Sequence, residues 1–498
     1  MSVADDKAKT PAQPFTEWSG PRDPANPLNW SSRRKIFQTL MVSLIALVST
    51  LASSIITPGF GDIQNDFNVS TEVALLPFVF YTLGLSIGPL LSGPLSESYG
   101  RRNVYASATP ILAAFLLGAG FSQSIAALIV CRFLAGVAGA PGLTIGGATL
   151  SDVWRKEERA LPWTVYVTTP FLGPALGPLI GGYVATTIGW RWTQWIVVIV
   201  AAVISIAIFF MRETHKPTIL RRQMKQSRRH ESSPDQCASS PSSQRQERSV
   251  MFREFITRIL LRPIHMACVE PVVGFFTLYI AINFGMVYAF FAAFPFVFAN
   301  AYDFGPRATG LMFLGLVGGC LVGGLIMAIY SRILLPREIA RSRKSSINTD
   351  GDAHSDTNSY HAKLTAPEAR LYLAMLGAPL LPIALFWFGW TVEYRVHWIS
   401  AVLAEAIFAC GNLLIFMSAT LYIIDFYGPK YGASANAVNG FVRYLLASAF
   451  PLFIVQMYGG LGVCWASSLL GFVSVVTMFI PWVLYYLGPR LRERSVYM

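Results

Sequence analysis

The chain has 498 residues, of which 53 % are hydrophobic and only 13 % are charged. Soluble domains carry about a quarter charged residues, so this composition and a mean hydropathy of +0.48 exclude a chain made of ordinary soluble domains. The formal net charge of +12 would suggest a nucleic-acid partner if the basic residues formed one surface. They lie instead between long apolar runs, so we expect a lipid bilayer as the surroundings and no nucleic acid as a partner.

Twelve apolar runs are long enough to cross a bilayer, which takes about 20 residues. Their approximate limits are 36–57, 73–96, 103–121, 125–150, 161–187, 192–211, 264–292, 308–331, 371–390, 397–424, 433–457 and 461–487. We predict an all-α membrane protein with twelve transmembrane helices in two six-helix bundles. The bundles cover residues 36–211 and 263–487, with a tail at 1–35, a flexible linker at 212–262, an insert at about 335–368 and a second tail at 488–498.

The positions of Lys and Arg predict the orientation in the membrane, because basic residues concentrate on the cytoplasmic side. The loops after the even-numbered runs are rich in them, whereas the alternate loops carry only Arg191, Arg307 and Arg395. Both termini, the linker and the insert are therefore expected in the cytoplasm. Asn68, in the sequence Asn-Val-Ser of a predicted outer loop, is a candidate glycosylation site.

The fifth run carries a stripe of glycine residues. Gly173, Gly177 and Gly181 are spaced four apart and share one face of a helix, and Pro178 and Gly182 lie beside them. A bare glycine face lets another helix approach closely. Membrane helices tolerate the prolines when neighbouring helices cover the freed backbone groups. The pattern Gly-x-x-x-Gly-Pro-x-x-Gly-Gly resembles the fifth-helix motif of proton-coupled antiporters in the major facilitator superfamily.

Two further stretches are similar to the fungal drug:proton antiporters of that superfamily. The first is Asp-Pro-Ala-Asn-Pro-Leu-Asn-Trp-Ser at 23–31, and the second is Arg-Glu-Thr-His-Lys-Pro at 212–217, in which Arg212 and His215 replace the family's Pro and Tyr. The resemblance covers about residues 23–487. It implies a twelve-span transporter of the cycloheximide-resistance and polyamine-exporter type, which works by alternating access around a cavity between the halves.

The loop after the second run matches a superfamily pattern that implies a gating latch. Glu97 replaces the pattern's Asp and can accept hydrogen bonds from a helix N-terminus, while Asp152 is placed to pair with Arg101. Asp425 ends the tenth run in another family-like stretch. The alternative is ordinary anchoring by positive charges. The complete set of expected latch residues is Gly93, Glu97, Gly100, Arg101, Arg102, Asp152 and Asp425.

Three charged residues within apolar runs are candidates for proton coupling. Arg132 lies in a stretch that resembles the superfamily's fourth-helix Arg-x-x-x-Gly motif. Glu270 lies early in the seventh run beside Pro271 and matches a family position, whereas Glu405 lies well inside the tenth run and its role rests on burial alone. A carboxyl group in a dry site can bind a proton near neutral pH, and we expect Glu270 to carry the exchanged proton.

A few polar side chains are candidates for a substrate cavity, namely Arg443, Tyr166, Tyr279 and Tyr288. The sequence has no phosphate-binding loop, no His/Cys metal cluster and no catalytic-triad spacing. We therefore expect no enzyme activity, no cofactor and no metal.

These features predict a proton-coupled antiporter that exports drug-like compounds, secondary metabolites or polyamines. We expect a monomer in the plasma membrane whose partners are a small-molecule substrate and protons. One alternative is an exporter of a small organic acid, with Arg132 and Arg443 as anion clamps. Another is a membrane sensor that binds a ligand without moving it, although the polar inserts do not resemble a signalling domain.

Overall fold

The computed structural model describes residues 22–155, 158–231, 269–334 and 370–493, together with positions 18, 20, 265, 266 and 495. Within these ranges the regular structure is entirely helical. Eleven helical segments of the described chain are long and apolar enough to cross a membrane. The last, Ala435–Gly488, has 54 residues, which is enough for two crossings. Gly462, inside it, adopts a φ of 75° that turns the chain. The predicted all-α fold of twelve transmembrane helices is confirmed.

The first half contains spans 1 to 6, which are Ser32–Phe67, Thr71–Tyr99, Arg101–Gly120, Ile125–Val153, Ala160–Ile188 and Arg191–Ile208. Two of these spans are built from shorter helices. Span 1 joins α1 (Ser32–Ser54) to α2 (Phe60–Phe67), and span 4 joins α5 (Ile125–Gly139), α6 (Pro141–Thr144) and α7 (Gly146–Val153). The remaining helices are α3 (Thr71–Tyr99), α4 (Arg101–Gly120), α8 (Ala160–Ile188) and α9 (Trp190–Ile208).

Spans 7 to 10 of the second half are Pro271–Tyr302, Pro306–Arg332, Tyr372–Glu393 and Trp398–Tyr427, and spans 11 and 12 share Ala435–Gly488. The helices are α11 (Pro271–Tyr302), α12 (Pro306–Met312), α13 (Leu314–Ile329) with a π turn at Tyr330–Leu334, α14 (Tyr372–Gly377), α15 (Leu380–Glu393), α16 (Trp398–Thr477) and α17 (Ile480–Glu493). A straight helix of the length of α16 would measure about 120 Å, four times the thickness of the hydrocarbon layer. Helix α16 therefore contains more than one crossing.

The linker begins as a helix, α10 (Lys216–Glu231), although the sequence suggested a flexible segment from residue 212. We call the face where span 1 begins and span 6 ends the linker face, because α10 follows span 6 there; the other is the opposite face. The remainder of the linker and the expected insert at 335–368 lie outside the described residues, as do residues 1–17. Helix α17 continues to Glu493, into the predicted second tail at 488–498.

We predict that the linker face is cytoplasmic. In a variant without native cysteines, Gly61→Cys on the exposed surface of α2 should react with a membrane-impermeant thiol reagent in intact cells. Ser227→Cys in the linker should react only after the cells are permeabilised. Mass-shift labelling measures both, and the reverse pattern would overturn the orientation.

Candidate functional site

The glycine stripe of span 5 packs directly on the backbone of span 1. A Cβ atom placed on Gly173 would lie 2.8 Å from the carbonyl oxygen of Leu47, and one on Gly177 would lie 2.8 Å from the amide nitrogen of Ile55. A Cβ on Gly181 would collide with the carbonyl oxygen of Ile55. Real Cβ atoms do not approach so closely, so each of these positions requires glycine for the two helices to touch.

A side chain of span 1 satisfies a backbone group that a proline of span 5 leaves free. Pro178 has no N–H and cannot bond the carbonyl of Pro174 one turn earlier. The Ser54 hydroxyl donates a hydrogen bond of 2.8 Å to that carbonyl. Span 5 therefore remains helical from Ala160 to Ile188 despite three internal prolines.

The same end of span 5 also contacts the other half of the molecule. A Cβ on Gly310 of span 8 would lie 2.6 Å from the carbonyl oxygen of Pro178, and one on Gly182 would lie 2.8 Å from that of Pro306. The guanidinium of Arg307 lies over the ring of Tyr183, 4.5 Å from its centre. The two halves are therefore in backbone contact near the opposite face.

Aromatic side chains extend this contact between the halves toward the middle of the helices. The Tyr288 hydroxyl of span 7 lies 3.3 Å from the Ser53 hydroxyl of span 1. Its ring stacks on Phe78 of span 2, with centres 5.9 Å apart, and Phe291 packs edge-on against the same Phe78. Tyr288, a predicted cavity residue, is buried in this seal.

An internal cavity lies at the interface of the halves, on the linker side of the contact between Pro178 and Gly310. Span 5 contributes Phe171 and Ala175, and the other side chains come from spans 7, 8 and 10. They are Val287, Phe291, Leu316, Cys320, Ala409 and Asn412. The lining is mainly apolar, and the space inside has room for about one water molecule, so the halves are closed around it in this conformation.

Arg443 of span 11 stands beside this cavity within a group of aromatic rings. Its guanidinium carbon lies 4.6 Å from the ring centre of Phe416, 4.8 Å from that of Tyr444 and 4.9 Å from that of Phe284. Phe171 of the cavity lining packs against both Phe284 and Phe416. The buried Nε atom of Arg443 has no hydrogen-bond partner among the described residues. Cation–π contacts therefore hold a positive charge next to the cavity.

Arg132 of span 4 is fully buried and bonded to backbone, so it does not face the cavity as a free cation. Its guanidinium donates to the carbonyls of Ala52 at 2.6 Å, Ser53 at 2.8 Å and Pro77 at 3.3 Å. It also donates to the side chain of Gln194 at 3.2 Å and lies 4.3 Å from the ring centre of Tyr81. The carbonyls of Ala52 and Ser53 belong to the last turn of α1, so Arg132 caps that helix.

The two candidate acids lie in different surroundings. Glu270 directly precedes the first residue of α11, so it lies at the entrance of span 7 and not within it, which corrects the position expected from the sequence. Its carboxylate accepts hydrogen bonds of 3.0 Å from Tyr427 and from Ser495. Glu405 lies within span 10, is 2 % exposed, and neither of its buried carboxyl oxygens has a hydrogen-bond partner among the described residues.

The expected ion pair at the linker face is present, since Nε of Arg101 lies 3.5 Å from Oδ2 of Asp152. The acid that accepts hydrogen bonds from the N-terminus of α4 is not the one expected from the sequence. Glu97 is exposed, and Glu213 instead accepts from the backbone N–H of Arg101 at 2.8 Å and of Arg102 at 3.3 Å. Sequence reasoning missed Glu213, although the stretch 212–217 had already marked its neighbourhood.

Two features around Glu213 show how tightly this corner is built. Gly100 adopts a φ of 95°, and any Cβ there would collide with the Glu213 carboxylate. Burial, together with the charges of Arg101 and Arg221, lowers the pKa of His215 to about 4, so the ring is neutral at physiological pH. Gly93 has open space around it and makes no comparable contact.

A second group of charges lies at the linker face where the halves meet. Asp425, at the end of span 10, accepts a hydrogen bond of 2.9 Å from Arg370 of the same half. Burial lowers the pKa of Arg159 in the first half, and the nearby charge of Asp425 opposes that shift. Asp425 therefore interacts with cations of both halves, and Arg159 and Arg370 were not singled out in the sequence.

The remaining predicted residues are placed as follows. The Tyr166 hydroxyl donates to the carbonyls of Gly142 and Leu143, which ties span 5 to span 4 and turns this side chain away from a substrate role. Tyr279 is buried in span 7. Asn68 is exposed at the end of α2, with a φ of 49°. The described residues contain no group of His, Cys, Asp or Glu arranged to hold a metal ion.

Comparisons with known proteins agree with this architecture. A model of the Major Facilitator Superfamily matches residues 42–451. The chain belongs to the major facilitator superfamily. Among solved structures, the proton:xylose symporter XylE superposes with a TM-score of 0.63 at 15 % identity, covering 92 % of this chain and 97 % of XylE. The human organic anion transporter MFSD10 (TETRAN) gives 0.58 at 18 %, with 90 % and 99 % covered. These two likenesses show the shared fold.

Curated fungal relatives are similar over nearly the whole chain. Polyamine transporter 4 of Saccharomyces cerevisiae is 34 % identical over 96 % of this chain and 72 % of its own length. Fluconazole resistance protein 1 of the same yeast is 36 % identical over 97 % and 85 %. The MFS-type transporter traF of Penicillium crustosum is 34 % identical over 99 % and 96 %. These relatives are transporters of small molecules and not enzymes, so the chain is a multi-pass membrane transporter.

We predict that Gly177→Leu abolishes transport while the protein still reaches the membrane. The new side chain must enter the space of Ser54 and Ile55, which would separate spans 1 and 5. Gly318→Leu is the matched control, because a Cβ at Gly318 on span 8 meets nothing within 4 Å. Drug susceptibility of yeast cells that express each variant, with a surface-expression assay, measures the difference. Normal export by Gly177→Leu would show that the contact is dispensable.

Proposed function

We propose that this superfamily member is a proton-coupled exporter of small organic molecules, with drug-like compounds, secondary metabolites or polyamines as substrates. It works by alternating access in the plasma membrane, with its linker face and both termini in the cytoplasm. The observation that carries the proposal is the apolar interface between the halves, which is sealed toward the opposite face and encloses a small space bordered by side chains from both bundles.

The contacts around the cavity suit alternating access. On the opposite-face side, glycines, prolines and aromatic rings bring the halves together without an ion pair between described residues. On the linker side, Asp425 of the second half pairs with Arg370 of its own half and lies near enough to Arg159 of the first half to act on its charge. Contacts of different chemistry on the two sides of the interface suit a mechanism in which one side opens while the other stays closed.

The names of the relatives support a substrate of this class. They include a polyamine transporter, a fluconazole resistance protein and a transporter of a citrinin biosynthesis cluster. The sensor alternative finds no support in these comparisons, because the relatives and the two structural neighbours are transporters.

Proton coupling predicts that a pH gradient drives uphill transport. In proteoliposomes with an acidic interior, labelled spermidine or labelled fluconazole should accumulate at least tenfold above its external concentration. The reason is that outward proton flow is exchanged for inward substrate flow. A protonophore should abolish the accumulation. Accumulation that is unaffected by the gradient, with both probes, would contradict antiport.

One observation favours the second candidate, an exporter of organic acids. Arg443 places a buried positive charge beside the cavity, with the rings of Phe416 and Tyr444 close to its guanidinium. An anionic substrate would gain a charge-assisted hydrogen bond there.

Arg443→Gln separates these two substrate classes. If the substrate is an anion, the variant should lose at least tenfold in transport of a labelled aromatic acid such as benzoate. If the substrate is neutral or cationic, spermidine or fluconazole export should persist because the aromatic rings remain. Arg33→Gln, a change on the exposed surface of α1, is the control for nonspecific effects.

A further inference from the structure

Spans 2 and 4 of the first half pack through a pair of glycines one turn apart. A Cβ on Gly84 would collide with the carbonyl oxygen of Phe133, and one on Gly88 would lie 2.8 Å from the carbonyl oxygen of Val137. The two helices therefore touch along their backbones, and the register between them is fixed.

Spans 8 and 10 of the second half repeat this packing. A Cβ on Gly319 would collide with the carbonyl oxygen of Ala406, and one on Gly323 would lie 3.3 Å from the carbonyl oxygen of Cys410. The spacing between the two glycines and between the two opposed carbonyls is the same as in the first half. The two halves of superfamily members are structural repeats of each other. The glycine pairs therefore show which residue of the second half corresponds to which residue of the first.

The register brings one charged residue in each half to the same position. Arg132 directly precedes Phe133, the first opposed residue of span 4, and Glu405 directly precedes Ala406, the first opposed residue of span 10. Each is the eighth residue of its span. Glu405 is therefore the counterpart of Arg132 in the second half.

The two counterparts differ in the hydrogen bonds that their surroundings provide. Arg132 has four hydrogen bonds, three of them to backbone carbonyls. Both carboxyl oxygens of Glu405 are buried without a partner among the described residues, and its Cβ packs 3.2 Å from the position of a Cβ on Gly315. An isolated carboxylate in such a place is far more costly than a neutral carboxylic acid.

No described charge compensates the carboxyl of Glu405. The titratable and charged side chains on the elements packed around span 10 are Tyr279, Tyr288 and Tyr302 of span 7, Arg307, Cys320, Tyr330 and Arg332 of span 8, Tyr372 and Glu393 of span 9 with Arg370 just before it, and Arg443, Tyr444 and Tyr458 of span 11. None of these forms a hydrogen bond or an ion pair with Glu405. In this conformation the neutral, protonated carboxyl group is therefore the less costly form of Glu405.

We propose that Glu405, and not Glu270, binds and releases the exchanged proton. This inference rests on the proposed function and identifies the residue that performs it. In the sealed conformation the carboxyl carries the proton as an O–H group. When the protein rearranges and water reaches the site, that O–H bond breaks, the proton passes to water, and the carboxylate that remains is stabilised by hydration.

The position of Glu405 provides a route for coupling to the substrate. Ala409, one helical turn away on span 10, lines the cavity, and so does Leu316, which follows Gly315 on span 8. A substrate that enters between these side chains when the halves separate would therefore contact the two helices that enclose the carboxyl. Different preferences of substrate and proton for the two conformations then link their movements.

The first test is substrate-free and uses the full-length protein in lipid nanodiscs at neutral pH. The infrared difference spectrum between wild type and Glu405→Gln should show the carbonyl band of a protonated carboxylic acid, because glutamine keeps the size but lacks that group. The difference between wild type and Glu270→Gln should lack the band. A band that depends on Glu270 and not on Glu405 would overturn the proposal.

The second test uses proteoliposomes with labelled spermidine and labelled fluconazole as probes. Glu405→Gln should keep downhill exchange and lose at least tenfold in gradient-driven accumulation, while Glu405→Asp, which can still bind a proton, should retain a pH-dependent response. Full gradient-driven accumulation by Glu405→Gln would reject the role of Glu405 alone. A wild-type protein that ignores the gradient with both probes would reject proton coupling itself, so the two failures are distinguishable.

Discussion

The structure depends on one constraint, that a backbone carbonyl at membrane depth must find a donor because no water is available there. The carbonyl that Pro178 leaves free on Pro174 receives the Ser54 hydroxyl. The carbonyls at the end of α1 receive the guanidinium of Arg132. Both solutions join span 1 to a neighbour, so the irregular parts of the helices are also the places where the first bundle is held together.

Glycine makes these solutions geometrically possible. Where Gly173 and Gly177 meet span 1, and where Gly319 meets span 10, the helices approach until backbone touches backbone. At that distance a short hydroxyl such as Ser54 reaches the next helix, which it would not do across two full side chains. The glycine stripe and the buried hydrogen bonds are therefore parts of one arrangement, and a larger residue at Gly177 disturbs both.

The sequence was informative wherever a single helix carried the whole signal. The number of spans, the face of the glycine stripe and the pairing of Arg101 with Asp152 follow from spacing and loop position. Contacts between residues distant in sequence were not predictable in this way. Glu213 replaces Glu97 at the helix N-terminus, for example, because the chain returns from span 6 to that corner.

The position of Glu270 follows from the proline beside it. Pro271 follows it directly, and proline is favoured at the first position of a helix, where its missing N–H costs nothing. That rule puts Glu270 at the helix entrance, where Tyr427 and Ser495 can reach its carboxylate. Hydropathy alone placed the start of the seventh run at residue 264, several residues before the helix begins at Pro271. For Glu405, by contrast, the long apolar run correctly predicted burial, and the repeat between the halves adds a counterpart, Arg132, that hydropathy does not indicate.

The equivalent positions of the two halves carry side chains of opposite type, the cation Arg132 and the acid Glu405. A guanidinium stays charged under physiological conditions, so Arg132, fixed by carbonyls of spans 1 and 2, serves as a permanent tie within the first bundle. A carboxyl can be charged or neutral, and Glu405 lacks the partners that would fix it in one form. Under the proposed mechanism the ties of Arg132 persist across physiological pH, whereas the charge of Glu405 changes when water reaches it. The proposed coupling then depends on a change of charge in one half only, at a position where the other half carries a fixed cation.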